Sequence, residues 1–229
     1  MEQTTDIQCI GFIMDGNRRW AKARGLTSLV GHQKGYEAIK ATIDAVYKAH
    51  IPHMVCYAFS TENWNRSVEE VGHIMGLLEK GIRELRIENE ARSEKINIHI
   101  IGETHRLSQT LQNEIESLKN SHHAEPELSV WIAISYGGRA EIVDAVNRAI
   151  AGGEMVTEET FEKFLWTAGM PDPDIIVRTS GEHRISNFLL WQSAYSEFFF
   201  IDAYWPDFEE ATLRSILEEY GTRVRRKGS

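Results

Sequence analysis

Apolar and polar positions follow two alternating patterns along this chain of 229 residues. Short apolar runs rich in β-branched and aromatic residues predict buried strands at residues 10–14, 54–59, 96–101, 128–135 and 174–177. Between these runs, apolar residues recur at intervals of three and four, which predicts helices within residues 31–49, 68–91, 107–118, 139–151, 158–168 and 208–220. Strands that alternate with helices predict an α/β fold with a central, largely parallel sheet flanked by helices.

No repeat, flexible linker or low-complexity tract interrupts this alternation, so we predict one domain over residues 1–229. Two further apolar runs, at residues 188–191 and 198–201, lie towards the C-terminal end. The second contains Phe198, Phe199 and Phe200 in succession, and an apolar patch of this kind needs covering. We therefore expect a buried strand there that takes part in a subunit contact.

Three of the predicted strands run directly into polar clusters, at residues 15–19, 60–66 and 178–186. Ligands of open α/β sheets usually bind at the edge formed by the carboxyl ends of the strands, so we expect these clusters to converge. Together they provide cations and neutral hydrogen-bonding groups, namely Arg19, Arg66, Arg178, Arg184, Ser60, Asn63 and Ser186. This set of side chains favours a ligand that carries diphosphate groups.

The first cluster has the composition of an anion site that includes a metal ion. Gly16 allows the backbone to approach a ligand, and Asn17 is expected to cap the following helix. Backbone N–H groups at the start of that helix favour an anion, as do the nearby Arg18, Arg19, Lys22 and Arg24. A carboxylate beside a phosphate is unfavourable unless a cation lies between them, which predicts Mg²⁺ held by Asp15 with Glu62 or Glu197. Taken alone, the stretch equally fits a strand end and a solvated basic helix.

Composition excludes several classes of protein. Hydrophobic residues at 42% and charged residues at 26% are typical of a folded globular chain. A formal charge of −9 argues against a nucleic-acid partner, because phosphates demand a basic face. The chain also lacks a phosphate-binding Gly-x-x-x-x-Gly-Lys loop, a dinucleotide-binding glycine fingerprint and a Gly-x-Ser-x-Gly nucleophile motif.

The cysteines and the N-terminal residues predict a cytoplasmic protein. Cys9 and Cys56 lie in apolar runs without metal-binding spacing, so we expect buried, reduced thiols. Residues 1–8 are polar and acidic, unlike a signal peptide, and no apolar run approaches the roughly 20 residues that span a bilayer. Any membrane contact is therefore expected to be peripheral.

The polar clusters also belong to motifs that resemble those of the cis-prenyltransferases, in particular the undecaprenyl diphosphate synthases. The resemblance covers nearly the whole chain, in order and with similar spacing. Its motifs are MDGNRRWAKARG at residues 14–25, Gly31-His32, AFSTENWNR at 58–66, SYGGR at 135–139, RTSGEHRISNFLLWQSAYSEFFF at 178–200 and WPDF at 205–208.

This resemblance implies Mg²⁺-dependent condensation of isopentenyl diphosphate onto an allylic diphosphate such as farnesyl diphosphate. Each condensation would make a Z double bond, and the product would be a long polyprenyl diphosphate such as undecaprenyl diphosphate, a cell-wall precursor. The resemblance also implies a homodimer, with peripheral membrane contact through the product. A short-chain or irregular-condensing relative is an alternative, and a non-catalytic partner subunit is another.

The resemblance further implies roles for individual residues. Asp15 would hold Mg²⁺ with help from Glu197, and Asn63 would act near the step at which a proton is lost. The allylic diphosphate would be bound by Gly16, Asn17, Arg18 and Arg19, with His32 beside it. Isopentenyl diphosphate would be bound by Arg178, Arg184 and Ser186. The remaining substrate-binding candidates are Trp20, Arg24, Phe59, Ser60, Glu62, Trp64, Arg66 and His183, of which His183 equally fits a surface histidine.

The growing chain implies an apolar tunnel, for which candidates are Met75, Leu78, Ile82, Ile98, Ile100, Ile132 and Ile134. The small Ala58 stands at the family's size-limiting position, as in long-product members. Where many family members have an arginine that contacts the allylic phosphate, this chain has Ser28, so Arg24 would substitute, or the site would be looser or would prefer another primer. Ser67 replaces a usual proline, and the C-terminal Arg226 and Gly228 retain an Arg-x-Gly element that can reach a partner subunit.

Overall fold

Six parallel strands form one sheet in the computed structural model, which describes residues 7–91 and 95–223. The strands are β1 Cys9–Ile13, β2 His53–Ser60, β3 Ile96–Ile101, β4 Leu128–Tyr136, β5 Ile175–Arg178 and β6 Glu197–Phe200. Their order across the sheet is β3-β4-β2-β1-β5-β6, and every neighbouring pair is parallel. The predicted α/β fold with a central parallel sheet is confirmed.

Helices connect the strands, as parallel pairing requires. They are α1 Asn17–Ala23, α2 Ser28–Lys48, α3 Val68–Ala91, α4 Gln109–Asn120, α5 Gly138–Gly152, α6 Glu158–Phe161 and α7 Glu210–Thr222. Residues 61–65, 104–106, 162–164 and 205–207 form 3-10 turns. The helix expected at residues 158–168 is therefore shorter. The backbone N–H of Thr167 donates to Glu141 Oε1 at 3.1 Å instead of to a helical carbonyl.

Apolar side chains pack on both faces of the sheet. On one face, helices α2, α3, α4 and α7 contribute buried residues to the larger core cluster. On the other, the segment between β5 and β6 contributes Phe188 and Leu189, both fully buried, to a second cluster. The apolar run 188–191 forms a turn. In β6, only Phe199 of the three phenylalanines is buried, and the subunit contact stays a prediction.

The strand order brings the three polar clusters together at one edge of the sheet. Neighbouring strands β2, β1 and β5 carry the three polar clusters at their carboxyl ends, and Ile13 of β1 lies level with Arg178 of β5. The predicted convergence is thus confirmed. The expected buried thiols are confirmed as well, because Cys9 and Cys56 are both buried and free. Over the described ranges, no helix combines the length and apolar character needed to cross a membrane.

Candidate active site

A cleft of about 1130 Å³ opens at the carboxyl edge of the sheet. Twelve of the sequence-predicted site residues line it: Asp15, Gly16, Asn17, Arg18, Arg19, His32, Ser60, Glu62, Asn63, Arg66, Arg178 and Ser186. All three polar clusters contribute to this lining. The cleft is therefore a polar, largely basic site built by three neighbouring strands.

Asp15 lies at the centre of the positive charge. Its Oδ2 accepts a hydrogen bond from Arg178 Nη2 at 2.9 Å and lies 3.1 Å from Arg19 Nη2. The backbone N–H of Asp15 donates to Thr179 Oγ1 at 2.9 Å, and that hydroxyl in turn donates to the Asp15 carbonyl oxygen, which anchors β1 to β5. Burial acts to raise the pKa of Asp15, but the hydrogen bond from Arg178 and the charge of Arg19 outweigh it and lower the pKa. Asp15 is therefore an ionised carboxylate at neutral pH.

Arg178 is the buried member of this group. Its side chain is 5% exposed, and its Nη1 donates to Ser186 Oγ at 2.7 Å and to the carbonyl oxygen of Arg184. One guanidinium thus ties the end of β5 to Asp15 and to its own loop. Its Nε is buried without a hydrogen-bond partner among the described residues, so the guanidinium has a donor to spare at the wall of the cleft.

The cap of helix α1 is Gly16, whereas the sequence predicted that Asn17 would cap it. Gly16 is the N-cap of α1, and its φ of 106° is a left-handed conformation that favours glycine. A Cβ there would lie 2.8 Å from the ring of Tyr204. Asn17 is the first residue of the helix, not its cap, because its side chain turns towards α2, where Gly35 leaves room for it. Asn17 Oδ1 is buried without a partner in the described part of the chain.

A second charge centre forms on Glu70, which sequence reasoning missed. Its carboxylate accepts a hydrogen bond from Arg66 Nη1 at 3.0 Å, lies 3.3 Å from His32 Nε2 and lies 3.7 Å from Arg18 Nη1. The spacing of Arg66 and Glu70, four residues apart, was the available signal. Burial lowers the pKa of His32, and the hydrogen bond to Glu70 opposes that shift only in part. His32 is therefore a neutral ring at pH 7.

Lys22 is a cation that takes part in none of these ion pairs. It lines the cleft beside Ser28, and within residues 7–91 and 95–223 it has no ion pair. Arg24, the expected substitute for an arginine at position 28, does not line the cleft. It stacks 4.4 Å from the centre of the Trp20 ring and pairs with Asp207 at 3.1 Å. The pair with Asp207 thus holds the Arg24 guanidinium outside the cleft lining, and a role of Arg24 in place of the missing arginine stays a prediction.

Trp20 is likewise structural, since its Nε1 donates to Asp207 Oδ1 at 2.7 Å and its ring is buried. Phe59 is buried in the core, edge-on to Trp64 with ring centres 5.0 Å apart. Trp64 Nε1 donates to Ser135 Oγ at 2.9 Å. These three aromatic residues hold the walls of the cleft without lining it.

Asn187 is a further residue that the sequence analysis did not select. It lines the cleft, and its Nδ2 donates to Glu62 Oε1 at 3.0 Å. Its Oδ1 accepts the backbone N–H of Arg139 at 2.9 Å. Asn187 thus connects the segment after β2, the start of α5 and the loop after β5. Tyr57 lines the cleft as well, and the motif spacing pointed at neither residue.

Three more predicted residues, besides Arg24 and the three aromatic residues, lie apart from the cleft lining. Arg184 and His183 are exposed on the loop after β5, where Arg184 Nη1 lies 2.5 Å from Glu182 Oε2 and His183 stacks on Phe200. Glu197 begins β6, level with Ile175 of β5 and hence with Ile10 of β1. This is about 10 Å before the carboxyl end of the sheet. Glu197 pairs there with Arg223 at 2.8 Å, and a metal site shared by Asp15 and Glu197 stays a prediction.

An apolar pocket of about 90 Å³ adjoins the polar cleft. Six residues line both and mark their junction: Met14, Asn17, His32, Tyr57, Ala58 and Ile74. Of the predicted tunnel residues, Leu78, Ile82 and Ile132 line this pocket, whereas Met75, Ile98, Ile100 and Ile134 do not. The predicted Arg226 and Gly228 lie outside the described residues.

The side chains available as metal ligands limit how a cation is bound. No group of three or more His, Cys, Asp or Glu side chains suited to a metal occurs in the described ranges. The ionised Asp15 carboxylate in the cleft is a hard oxygen donor of the kind Mg²⁺ takes, and Mg²⁺ is commonly bound by one or two carboxylates together with substrate phosphates. The residues present thus fit a metal that arrives with a diphosphate.

Comparison with known proteins places the chain in a family. The model of the undecaprenyl diphosphate synthase family matches residues 13–228. An isoprenyl transferase of Fusobacterium nucleatum is 45% identical over 96% of this chain and 94% of its own length, and one of Thermotoga maritima is 40% identical over 96% of both chains. Among solved structures, lavandulyl diphosphate synthase from Lavandula x intermedia, in complex with dimethylallyl diphosphate, has a TM-score of 0.94 at 34% identity over 100% of both chains. A probable undecaprenyl diphosphate synthase from Campylobacter jejuni has a TM-score of 0.83 at 28% identity over 98% of this chain and 99% of that one. The chain therefore belongs to the undecaprenyl diphosphate synthase family and is a prenyltransferase.

Proposed function

We propose that this enzyme elongates an allylic diphosphate with isopentenyl diphosphate, in a Mg²⁺-dependent reaction that makes Z double bonds. Farnesyl diphosphate is the proposed primer, and a long polyprenyl diphosphate such as undecaprenyl diphosphate is the proposed product. One observation carries this proposal. Asp15 is held at the mouth of the basic cleft by Arg178 and Arg19, at 2.9 and 3.1 Å, and an apolar pocket adjoins that cleft. Such a site suits a ligand with a diphosphate head and a hydrocarbon tail.

The reaction breaks the C1–O bond of the allylic substrate and releases its diphosphate. A new bond joins C1 to C4 of isopentenyl diphosphate, and a proton leaves C2 as the double bond forms between C2 and C3. The negative charge on the departing diphosphate must be stabilised by preorganised groups. We assign this role to Arg19 with Arg18 and Gly16 at the start of α1. Mg²⁺ bound by Asp15 would add further positive charge to the leaving diphosphate.

The second substrate is assigned to the loop after β5. Arg178 and Ser186 line the cleft there and are already hydrogen-bonded to each other at 2.7 Å, so they form a preorganised anion contact. Arg184, exposed on the same loop, would close onto the diphosphate of isopentenyl diphosphate. Asn63 lines the cleft with its Oδ1 accepting the backbone N–H of Ser60 at 3.2 Å, and we place it near the proton-loss step.

The apolar pocket would receive the hydrocarbon chain and exclude water from the allylic carbon during ionisation. Ala58 leaves room at the junction between the cleft and the pocket, which is the feature that favours a long product. Ser60, Glu62 and Arg66 also line the cleft, where they would orient the two head groups.

Incubation of the purified protein with labelled isopentenyl diphosphate, farnesyl diphosphate and Mg²⁺, followed by sizing of the products, tests the proposal. We expect a ladder of prenyl diphosphates spaced by five carbons, and chelation of Mg²⁺ should abolish it. A protein that binds both substrates but forms no product longer than the primer would contradict the proposal.

A short-chain or irregular-condensing activity is the second candidate. Two observations favour it: the TM-score of 0.94 to lavandulyl diphosphate synthase, and Ser28 in place of an arginine at the cleft lining. Incubation with dimethylallyl diphosphate alone separates the candidates, because a branched C10 product requires the second activity. The presence of Asp15, Asn17 and Arg19 in the cleft argues against a non-catalytic subunit.

We also propose a cytoplasmic homodimer without a nucleic-acid partner. Support for a dimer comes from α5, where Val143, Val146 and Ile150 form an apolar stripe with exposures of 60%, 42% and 70%. The free, buried cysteines are of the kind found in reducing compartments. Light scattering coupled to size exclusion tests the dimer, and a monomer at micromolar concentration would contradict it.

A further inference from the structure

The apolar pocket lies between α2 and α3, and its walls change character along these helices. His32 and Ile74 line both the cleft and the pocket, so they mark the pocket's entrance. Tyr36, one turn further along α2, and Gly81, about two turns further along α3, line only the pocket. Any ligand that enters tail-first from the cleft must pass Tyr36 and Gly81 before it can extend between the two helices.

Tyr36 is held across the seam between the two helices. Its hydroxyl donates to Glu84 Oε2 of α3 at 2.6 Å. One turn further, Lys40 of α2 pairs with Glu88 of α3, and Lys40 Nζ lies 6.0 Å from the centre of the Tyr36 ring. These contacts orient the ring at the wall of the pocket.

Gly81 is the surface on which this ring rests. A Cβ at Gly81 would lie 2.8 Å from Cε2 of Tyr36, closer than side chains tolerate. Two other glycines of α3, Gly72 and Gly76, have nothing within 4 Å of the same position. The absence of a side chain at Gly81 is thus required by the position of the Tyr36 ring, and the two residues form one steric unit.

Because the pocket is small, the position of Tyr36 and Gly81 limits what the pocket can hold. Its volume is about 90 Å³, whereas sites that enclose drug-sized ligands measure about 300–1,000 Å³. A prenyl chain of several five-carbon units therefore cannot fit until a wall gives way. Ala58 removes bulk at the entrance, so the next wall that a growing chain meets between α2 and α3 is the Tyr36 ring.

We propose that Tyr36, oriented by Glu84 and supported by Gly81, determines the length of the prenyl product. This inference rests on the proposed elongation activity and adds the residue that ends it. Each condensation pushes the chain further from the cleft, and elongation stops when the chain meets a ring that cannot be displaced at the temperature of the reaction.

Four variants test this proposal by product length, read by mass spectrometry after phosphate removal. Tyr36→Ala opens the wall, and we expect the main product to lengthen by one or more five-carbon units. Gly81→Ala pushes the ring out of its position towards the pocket, and we expect shorter products. The double variant should match Tyr36→Ala, because the added methyl then has no ring to meet. Gly76→Ala is the matched control, since it adds the same methyl to α3 with no neighbour, and its products should match the parent's.

Identical length distributions in the parent, Tyr36→Ala and Gly81→Ala would overturn the proposal. Gly81→Ala keeps the test sound if Tyr36→Ala fails to fold, because alanine is the better helix former. Binding of non-reactive farnesyl and geranylgeranyl thiodiphosphates provides a readout without turnover. Tyr36→Ala should improve the affinity for the longer analogue at least threefold and leave that for the shorter one unchanged. If the parent makes no prenyl chains, the proposed function fails, and the binding series still decides the role of Tyr36.

Discussion

Replacement of Arg178 by methionine is the perturbation whose magnitude the structure defines best. Methionine keeps an unbranched apolar stem in the buried site but removes the donors to Asp15, Ser186 and the Arg184 carbonyl oxygen. Loss of one partner of a buried ion pair costs about 3–5 kcal/mol. The Asp15 side chain is 29% exposed and keeps Arg19 at 3.1 Å, so its charge is left partly solvated and paired. We therefore expect Arg178→Met to lower the free energy of unfolding by about 2–3 kcal/mol.

Urea denaturation followed by circular dichroism measures this loss, and in a chain of this size it corresponds to about 5–10 °C in melting temperature. A double-mutant cycle with Asp15→Asn isolates the pair, with an expected coupling of about 1–2 kcal/mol. The control is Arg184→Met, which should change stability by less than about 0.5 kcal/mol because the Arg184 side chain is 60% exposed. If the stability losses of Asp15→Asn and Arg178→Met simply add in the double variant, the proposed interaction between Asp15 and Arg178 is refuted.

The same pair predicts a pH dependence. The pKa of Asp15 is lowered in the folded protein, so its ionised form stabilises the fold above the unfolded pKa and loses that effect as pH falls through the folded one. Arg178→Met removes a hydrogen bond that lowers the pKa of Asp15. Ionisation of Asp15 therefore stabilises the variant less than it stabilises the parent. The difference in stability between parent and variant should therefore narrow as pH falls below about 4.

Three other predictions concern substrate binding. Lys22→Gln should raise the KM for the allylic diphosphate about tenfold with kcat little changed, because Lys22 is a cation of the cleft without an ion pair among the described residues, whereas Lys34→Gln should leave both constants as they are. Arg184→Ala should raise the KM for isopentenyl diphosphate about tenfold without altering stability, and an unchanged KM would remove Arg184 from the site. His32 should titrate below its ordinary value of 6.5 in NMR spectra of the free protein, because burial disfavours its charged form, and its pKa should rise when diphosphate binds. A free-state pKa above 6.5 would contradict the neutral His32.

Much of the architecture was predictable because its signals are local. Apolar periodicity distinguishes strands from helices over a few residues, and parallel strands bring their carboxyl ends together whatever their order. The convergence of Asp15 with Arg178 follows from that rule. The fully buried β4 and the long α3 both lie where their patterns placed them, within one or two residues.

Contacts that depend on register and on distant partners were not predictable. Glu197 carries the right chemistry for a metal, but it lies at the amino end of β6, about 10 Å before the carboxyl end of the sheet, and the motif alone does not reveal that register. Arg24 is taken by Asp207, which is 183 residues away along the chain. The predicted 158–168 helix ends at Phe161, and further along the segment the amide of Thr167 donates to Glu141 instead of to a helical carbonyl. In each case a long-range partner overrides a local preference.

The central claim is that the Asp15 carboxylate in the basic cleft is required for chain elongation. Turnover of labelled isopentenyl diphosphate by Asp15→Ala, compared with the parent at saturating substrates and Mg²⁺, tests it most directly. We expect turnover to fall by about 10²–10³-fold or more, with an unchanged far-UV circular dichroism spectrum. Turnover equal to the parent's in the folded variant would contradict it.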